Sequence, residues 1–161
     1  YAESKDGIHW NKYNKNPIFT ADKNKFWEAL KTEACCVVRE QDYFYMFYLG
    51  ISADRTASIG IARSRDGITG WERHPDNPVV AGTDGSWDYL GVCKPFVLKT
   101  DDGFLMWYNG CNQSEGEGQV KEEIGVALHK GYQLWPEDGA ARERDIPDEK
   151  IVCRDLFLGC R

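Results

Sequence analysis

The sequence predicts an all-β fold assembled from repeated units of four short antiparallel strands. Three observations carry this. Whole phrases recur at an offset of 60 residues. The apolar runs are short and rich in aromatic and β-branched residues, with polar turns between them. Helical periodicity is absent: only FWEALKTE (26–33) is built of helix formers, and its counterpart, SWDYLGVC, is not.

The repeat comes first, because a fixed period decides the architecture. Ser4-Lys5-Asp6-Gly7-Ile8 matches Ser64-Arg65-Asp66-Gly67-Ile68. Trp10 then matches Trp71, and Asn16-Pro17-Ile18 matches Asn77-Pro78-Val79 after a one-residue insertion. WEALKTEACCVVREQDYFYMFYLG (27–50) aligns without gaps on WDYLGVCKPFVLKTDDGFLMWYNG (87–110). IGIAR (59–63) returns as IGVAL (124–128), with Trp135 in the place of Trp71.

The elements follow in order. ACCVV (34–38) reads as a strand buried on both faces, and REQD as a polar turn. YFYMFYLG (43–50) completes a hairpin, and SIGIARS (58–64) supplies the third strand. RDG is turn chemistry, with Gly67 suited to a positive φ. WERHPDNPVV (71–80) reads as the outer, edge-like strand, where Pro75 and Pro78 sacrifice little by lacking an N–H.

Four-stranded antiparallel units of this period are propeller blades, each packing on its neighbours with its inner strand lining a central channel. Residues 1–25 make a half blade, 26–86 a blade, 87–145 a second blade and 146–161 a closing strand, about two and a half blades in all. The recurrent Asp-Gly is then a turn. Trp71 is expected largely buried between blades, as is Trp10 where the half blade docks.

Composition excludes several functions. The 161 residues carry a net charge of −6, with Lys and Arg scattered, so the footprint of a nucleic-acid binder is missing. No apolar run approaches the roughly 20 residues of a membrane-spanning helix. Residues 1–10 do not resemble a signal peptide, and the start at Tyr1 is expected to be a processed or cloned boundary. The six cysteines and three histidines fall in no zinc pattern, so no metal or other cofactor is expected. The cysteines read as free thiols packed as small hydrophobes, in a soluble, cytoplasmic setting. Cys93 and Cys111 are placed as diagonal neighbours of one hairpin, able to pair only in an oxidising compartment.

ARSRDGITGWERHPDNPVV (62–80) resembles the blade signature of the five-bladed β-propeller glycosidases, a group that includes glycoside hydrolase families 32, 43, 62, 68 and 130. CKPFVLKTDDGFLMWYNG and TEACCVVREQDYFYMFYLG resemble their inner-strand hairpins. The resemblance implies carbohydrate as ligand and a channel site built from carboxylates on inner strands, because glycosidic cleavage needs an acid for the leaving oxygen and an anion for the oxocarbenium-like centre. This chain departs from the pattern where the family often has Asp-Pro: it has Lys94-Pro95 in one hairpin and Ala34-Cys35 in the other. Glu33 and Asp88 are the candidate catalytic acids. Lys94 is placed to bind a carboxylated sugar or other anion, or to pair with a nearby acid. Trp27 and Trp87 are placed to stack on sugar rings or to pack between blades.

Two and a half blades are too few for a ring. Either the chain is a fragment of a longer propeller, or subunits associate, a dimer being the commonest form, with the head and the tail (151–158) pairing. Two functional expectations follow: a glycoside-hydrolase-like protein, or a non-catalytic propeller fragment that binds carbohydrate or self-assembles. A peptide-binding propeller of the WD type is disfavoured by the period and by the missing dipeptide.

Overall fold

The phrase repeated at 4–8 and 64–68 folds the same way twice. In one copy Gly67 N–H donates to Ser64 Oγ (3.1 Å), and Ile68 and Thr69 N–H donate to Asp66 Oδ1 (2.8 and 2.7 Å). In the other, Gly7 N–H donates to Ser4 Oγ (2.8 Å), and Ile8 and His9 N–H donate to Asp6 Oδ1 (2.9 and 2.8 Å). Gly7 and Gly67 both have positive φ. Both aspartates are held well below the usual carboxylate range. The largest cause is the His9 side chain for Asp6 and the Thr69 hydroxyl for Asp66. The Asp-Gly is thus a turn, as expected.

The computed structural model describes residues 1–113 and 120–136. Its strands are β1 (Ala2–Glu3), β2 (Asn11–Lys12), β3 (Lys31–Glu40), β4 (Tyr43–Ile51), β5 (Ala57–Ser64), β6 (Glu72–Arg73), β7 (Val80–Ala81), β8 (Gly91–Thr100), β9 (Gly103–Gln113) and β10 (Val120–Lys130). A single 3-10 turn, Phe26–Glu28, precedes β3. β1 and β2 form a two-stranded sheet of their own. The rest form one mixed sheet in the order β10-β9-β8-β5-β4-β3, with β6 and β7 also on β5. Within each repeat the pairing is antiparallel. The two units, β3–β7 and β8–β10, join through one parallel pair, Ala57 with Gly91. The fold is all-β, and the described strands form no closed ring.

The two units pack face on face in a fixed sense. Tyr45, Phe47, Ile59 and Ile61 of the first unit share one buried cluster with Val92, Phe104, Met106 and Tyr108 of the second. Because side chains alternate along a strand, the odd-numbered face of β4 and β5 meets the even-numbered face of β9. The other face of the first unit (Met46, Tyr48, Ala62) lies under Trp27, flanked by Phe19 and Trp71. The other face of the second unit leaves Phe96, Leu98, Ile124 and Val126 exposed.

Three expectations are corrected. Residues 71–80 are not one outer strand: β6 and β7 are two residues each, because neither Pro75 nor Pro78 has an N–H to give to β5. Asn77 fills the gap with its side chain, accepting from Ile61 N–H (2.8 Å) and donating to Ile61 C=O (2.9 Å). Asn16 does the same in the head segment, donating to Tyr1 C=O (2.7 Å) and accepting from the Tyr1 amino group (2.5 Å). The run 34–38 is not buried on both faces. Cys35 and Val37 are exposed and Cys36 and Val38 half-buried, because only one side of β3 faces the second unit. Trp10 is 60% exposed: β1 and β2 form no sheet with the first unit. Trp71 is half-buried beside Phe19 (6.4 Å), while the aligned Trp135 does lie between the units, 6.4 Å from Tyr45. The closing strand expected at 146–161 lies outside the described residues.

Asn77 supplies the acceptor for Ile61 N–H and a second donor, beside His74 N–H, for Ile61 C=O, in a strand whose Ile61 is fully buried. Asn77→Ala is expected to destabilise the fold by about 1–2 kcal/mol, since the interior Ile61 N–H loses its acceptor while Ile61 C=O keeps the bond from His74 N–H (2.9 Å). Thermal unfolding followed by circular dichroism reads this directly; an unchanged melting temperature would show that backbone or water replaces the side chain.

Candidate functional site

β3 and β8 break register at the same place. The shift falls between Glu33 and Cys35 in β3 and between Cys93 and Phe96 in β8. The bulged residues, Ala34 and Lys94, both have positive φ (42° and 54°) without being glycine. Bulges re-aim side chains, and non-glycine residues in this region are held there only by their surroundings. β3 and β8 run in the same direction and touch three residues beyond Glu33 and Lys94, where Val97 N–H donates to Cys36 Sγ at 3.3 Å. The two bulges therefore lie at the same end of this strand pair.

The structure brings Glu33 and Lys94 to this end, both exposed. Glu33 Oε2 is paired with Lys31 Nζ at 2.9 Å. Lys94 Nζ is paired with Glu122 Oε2 at 2.7 Å, and Asn109 Nδ2 donates to the same oxygen at 2.9 Å. The pairing raises the Lys94 ammonium and lowers the Glu122 carboxyl from their ordinary values, mainly through their shared hydrogen bond. Of the two roles expected for Lys94, pairing with a nearby acid is the one seen.

Sequence reasoning misses Asn109 and Glu122, although a signal is present. Aligned unit on unit, Lys94, Asn109 and Glu122 occupy the places of Ala34, Leu49 and Ala57. Three strands exchange apolar for polar residues together at one spot. Behind them Cys93 is buried and Cys111 half-buried, both free thiols. The register makes them diagonal neighbours, Cys93 opposite Asn109 and Gly91 opposite Cys111. Burial, and then the adjacent Cys111 thiol, push Cys93 up to about 12.

The other candidates sit differently. Trp27 is 7% exposed and lies over Gly50 and Gly60, where an added Cβ would collide with its ring. Trp87, half-buried, lies likewise over Gly110 and Gly125 and stacks on Tyr108 at 5.9 Å. The acid following each tryptophan is interior. Glu28 is fully buried with Arg73 Nε at 2.5 Å. Asp88 is 2% exposed and accepts from Thr83 N–H at 3.3 Å. Asp88 is thus interior, whereas Glu33 and Lys94 are exposed.

A concavity of about 430 Å³ opens at the opposite end of β3, by Glu40, Tyr43, Arg63, Tyr132 and Trp135. Its cation is closely held: Arg63 pairs with Glu72 at 2.9 Å and lies over the rings of Tyr43 (4.6 Å) and Trp135 (4.2 Å). Lys99 is likewise paired with Glu40. The Arg63–Trp135 and Lys99–Glu40 contacts tie the units together.

No family model matches the chain. It is 30% identical over 130 residues to the uncharacterized protein MT1551 of Mycobacterium tuberculosis (strain CDC 1551 / Oshkosh), covering 80% of this chain and 38% of that protein. Among solved structures it is similar to a glycosyl hydrolase from Bacteroides ovatus (TM-score 0.58, 20% identity, 72% of this chain and 37% of that one). It is also similar to the BT0996 RGII complex (TM-score 0.62, 20% identity, 80% and 44%). A third, described as a glycoside hydrolase, gives a TM-score of 0.56 at 22% identity (84% and 38%). The chain therefore has a glycoside-hydrolase-like fold, and it spans less than half the length of each of these proteins.

The tryptophan seats give a direct test of the repeat. Gly50→Ala is expected to cost about 1–3 kcal/mol, the range for overpacking a filled site. Chemical denaturation measures it; an unchanged midpoint would show that Trp27 is free to move off the strand.

Proposed function

We propose that this chain supplies blades of a carbohydrate-active propeller, with a glycoside held where the bulges of β3 and β8 lie at one end of the strand pair. The observation that carries this is the paired bulge, which presents Glu33 and Lys94 on a fold shared with glycoside hydrolases. Residues 26–86 and 87–145 are blades in this reading, 1–25 a half blade, and β3 and β8 line the channel. Because the packing between units joins two different faces, further units add head to tail. The face bearing Phe96, Leu98, Ile124 and Val126 is where the next one docks, from a longer chain or from a second copy. Self-association then extends a ring of blades, and an isologous dimer is not required.

Glu33 is the general acid of this proposal, since it is the candidate carboxylate that a ligand reaches. Asp88 anchors the entry to β8, and Trp27 and Trp87 act as packing residues over their glycines. A binding-only role is favoured by one observation: Ala34 and Lys94 stand where the resembled family often has an acid, so a second carboxylate for hydrolysis is missing from these two strands at that point.

The test is turnover of a panel of aryl glycosides by the wild type and by Glu33→Gln. The hydrolase reading expects kcat/KM to fall by about 10²–10⁴-fold in the variant, with an unchanged melting curve. Full activity in the variant removes Glu33 from the mechanism. Absence of turnover in the wild type, together with binding on a glycan array, establishes the binding-only role.

A further inference from the structure

We infer that the Lys94–Glu122 pair, positioned by Asn109, is a subsite for the hydroxyl groups of a neutral sugar and not for an anion. This rests on the carbohydrate reading above and gives it a substrate class. The sequence alone points Lys94 at a carboxylated sugar. The structure changes that, because the cation already shares its proton with a carboxylate at 2.7 Å. An incoming anion meets Glu122 as well as Lys94, and the two fields nearly cancel.

A hydroxyl meets a different situation. The ammonium has three donors and spends one on Glu122. Both bonds that Glu122 accepts from Lys94 and Asn109 fall on Oε2, which leaves Oε1 as acceptor. A sugar hydroxyl both donates and accepts, so one hydroxyl takes a bond from Lys94 and an adjacent one gives a bond to Glu122, with no net charge to balance. Such bonds, with one partner ionised, are the stronger kind.

Two further observations support this role for the pair. The polar set replaces Ala34, Leu49 and Ala57 of the sister unit together, so general upkeep of the fold does not require it. Ala34, the counterpart of Lys94, stays exposed although its own unit is already packed against the next, whereas Leu49, the counterpart of Asn109, is buried there. Lys94 therefore remains open when a further unit docks, and Asn109 becomes the buried support that aims Glu122.

The experiment is saturation-transfer NMR and calorimetry on the 161-residue chain, with methyl glycosides of glucose, galactose, mannose, xylose and arabinose set against glucuronate and galacturonate. The triple variant Lys94→Ala, Asn109→Leu, Glu122→Ala copies the sister unit, and Lys94→Gln alone is a milder second variant. Binding of at least one neutral glycoside, weakened about tenfold or more in both variants, is expected, since each loses a charge-assisted bond. Tighter binding of a uronate than of every neutral sugar overturns the inference, as does full neutral-sugar affinity in the triple variant; in either case the carbohydrate reading survives. If no sugar of either kind binds the folded wild type, that reading fails and the subsite with it.

Discussion

A β-sheet unit with two apolar faces cannot bury both by itself, and the rest of this structure depends on how that is resolved. Here the odd face of one unit closes on the even face of the next, with Phe47, Ile59 and Ile61 against Val92, Met106 and Tyr108. Apolar burial of this kind is the main driving term for a β fold with few local contacts. It also sets the orientation of everything else. Once the faces are fixed, β3 and β8 must run side by side in the same direction, and their bulges must come to the same end. The tryptophan seats serve the same packing. Trp27 and Trp87 lie flat only because Gly50, Gly60, Gly110 and Gly125 have no side chain.

The site follows from an interruption of that regularity. In the first unit the bulge carries Ala34, and Leu49 and Ala57 continue the apolar face. In the second unit the same backbone carries Lys94, Asn109 and Glu122, joined by two hydrogen bonds to one oxygen. Repetition supplies the scaffold, and one polar exchange in a single repeat supplies the proposed site. Glu28, paired with Arg73, and Asp88 each follow a seated tryptophan in the chain and are buried.

Much of this is legible in the sequence, for a physical reason: repeated residues report repeated environments. The Ser-x-Asp-Gly turn, the hairpins over 31–51 and 91–113 and the third strands follow from turn chemistry and strand patterning. The outer strand is misread from sequence because prolines are tolerable at an edge, whereas the Asn77 side chain is what bridges the break. Burial of 34–38 is overestimated because an apolar run does not say how many neighbours its unit has. The burial of Asp88 is not legible because alignment shows that acids recur without showing which way they face. Asn109 and Glu122 escape notice because aligning the units brings out what they share, and the site lies where they differ.

The central claim is that ligand binds at the bulge end of β3 and β8. Backbone amide chemical-shift mapping during titration with a neutral oligosaccharide mixture tests it most directly. The account predicts that the largest shifts cluster at 33–36, 91–94, 109 and 122. Shifts centred instead on Tyr43, Arg63 and Trp135 would contradict it, placing the ligand at the opposite end of the same strands.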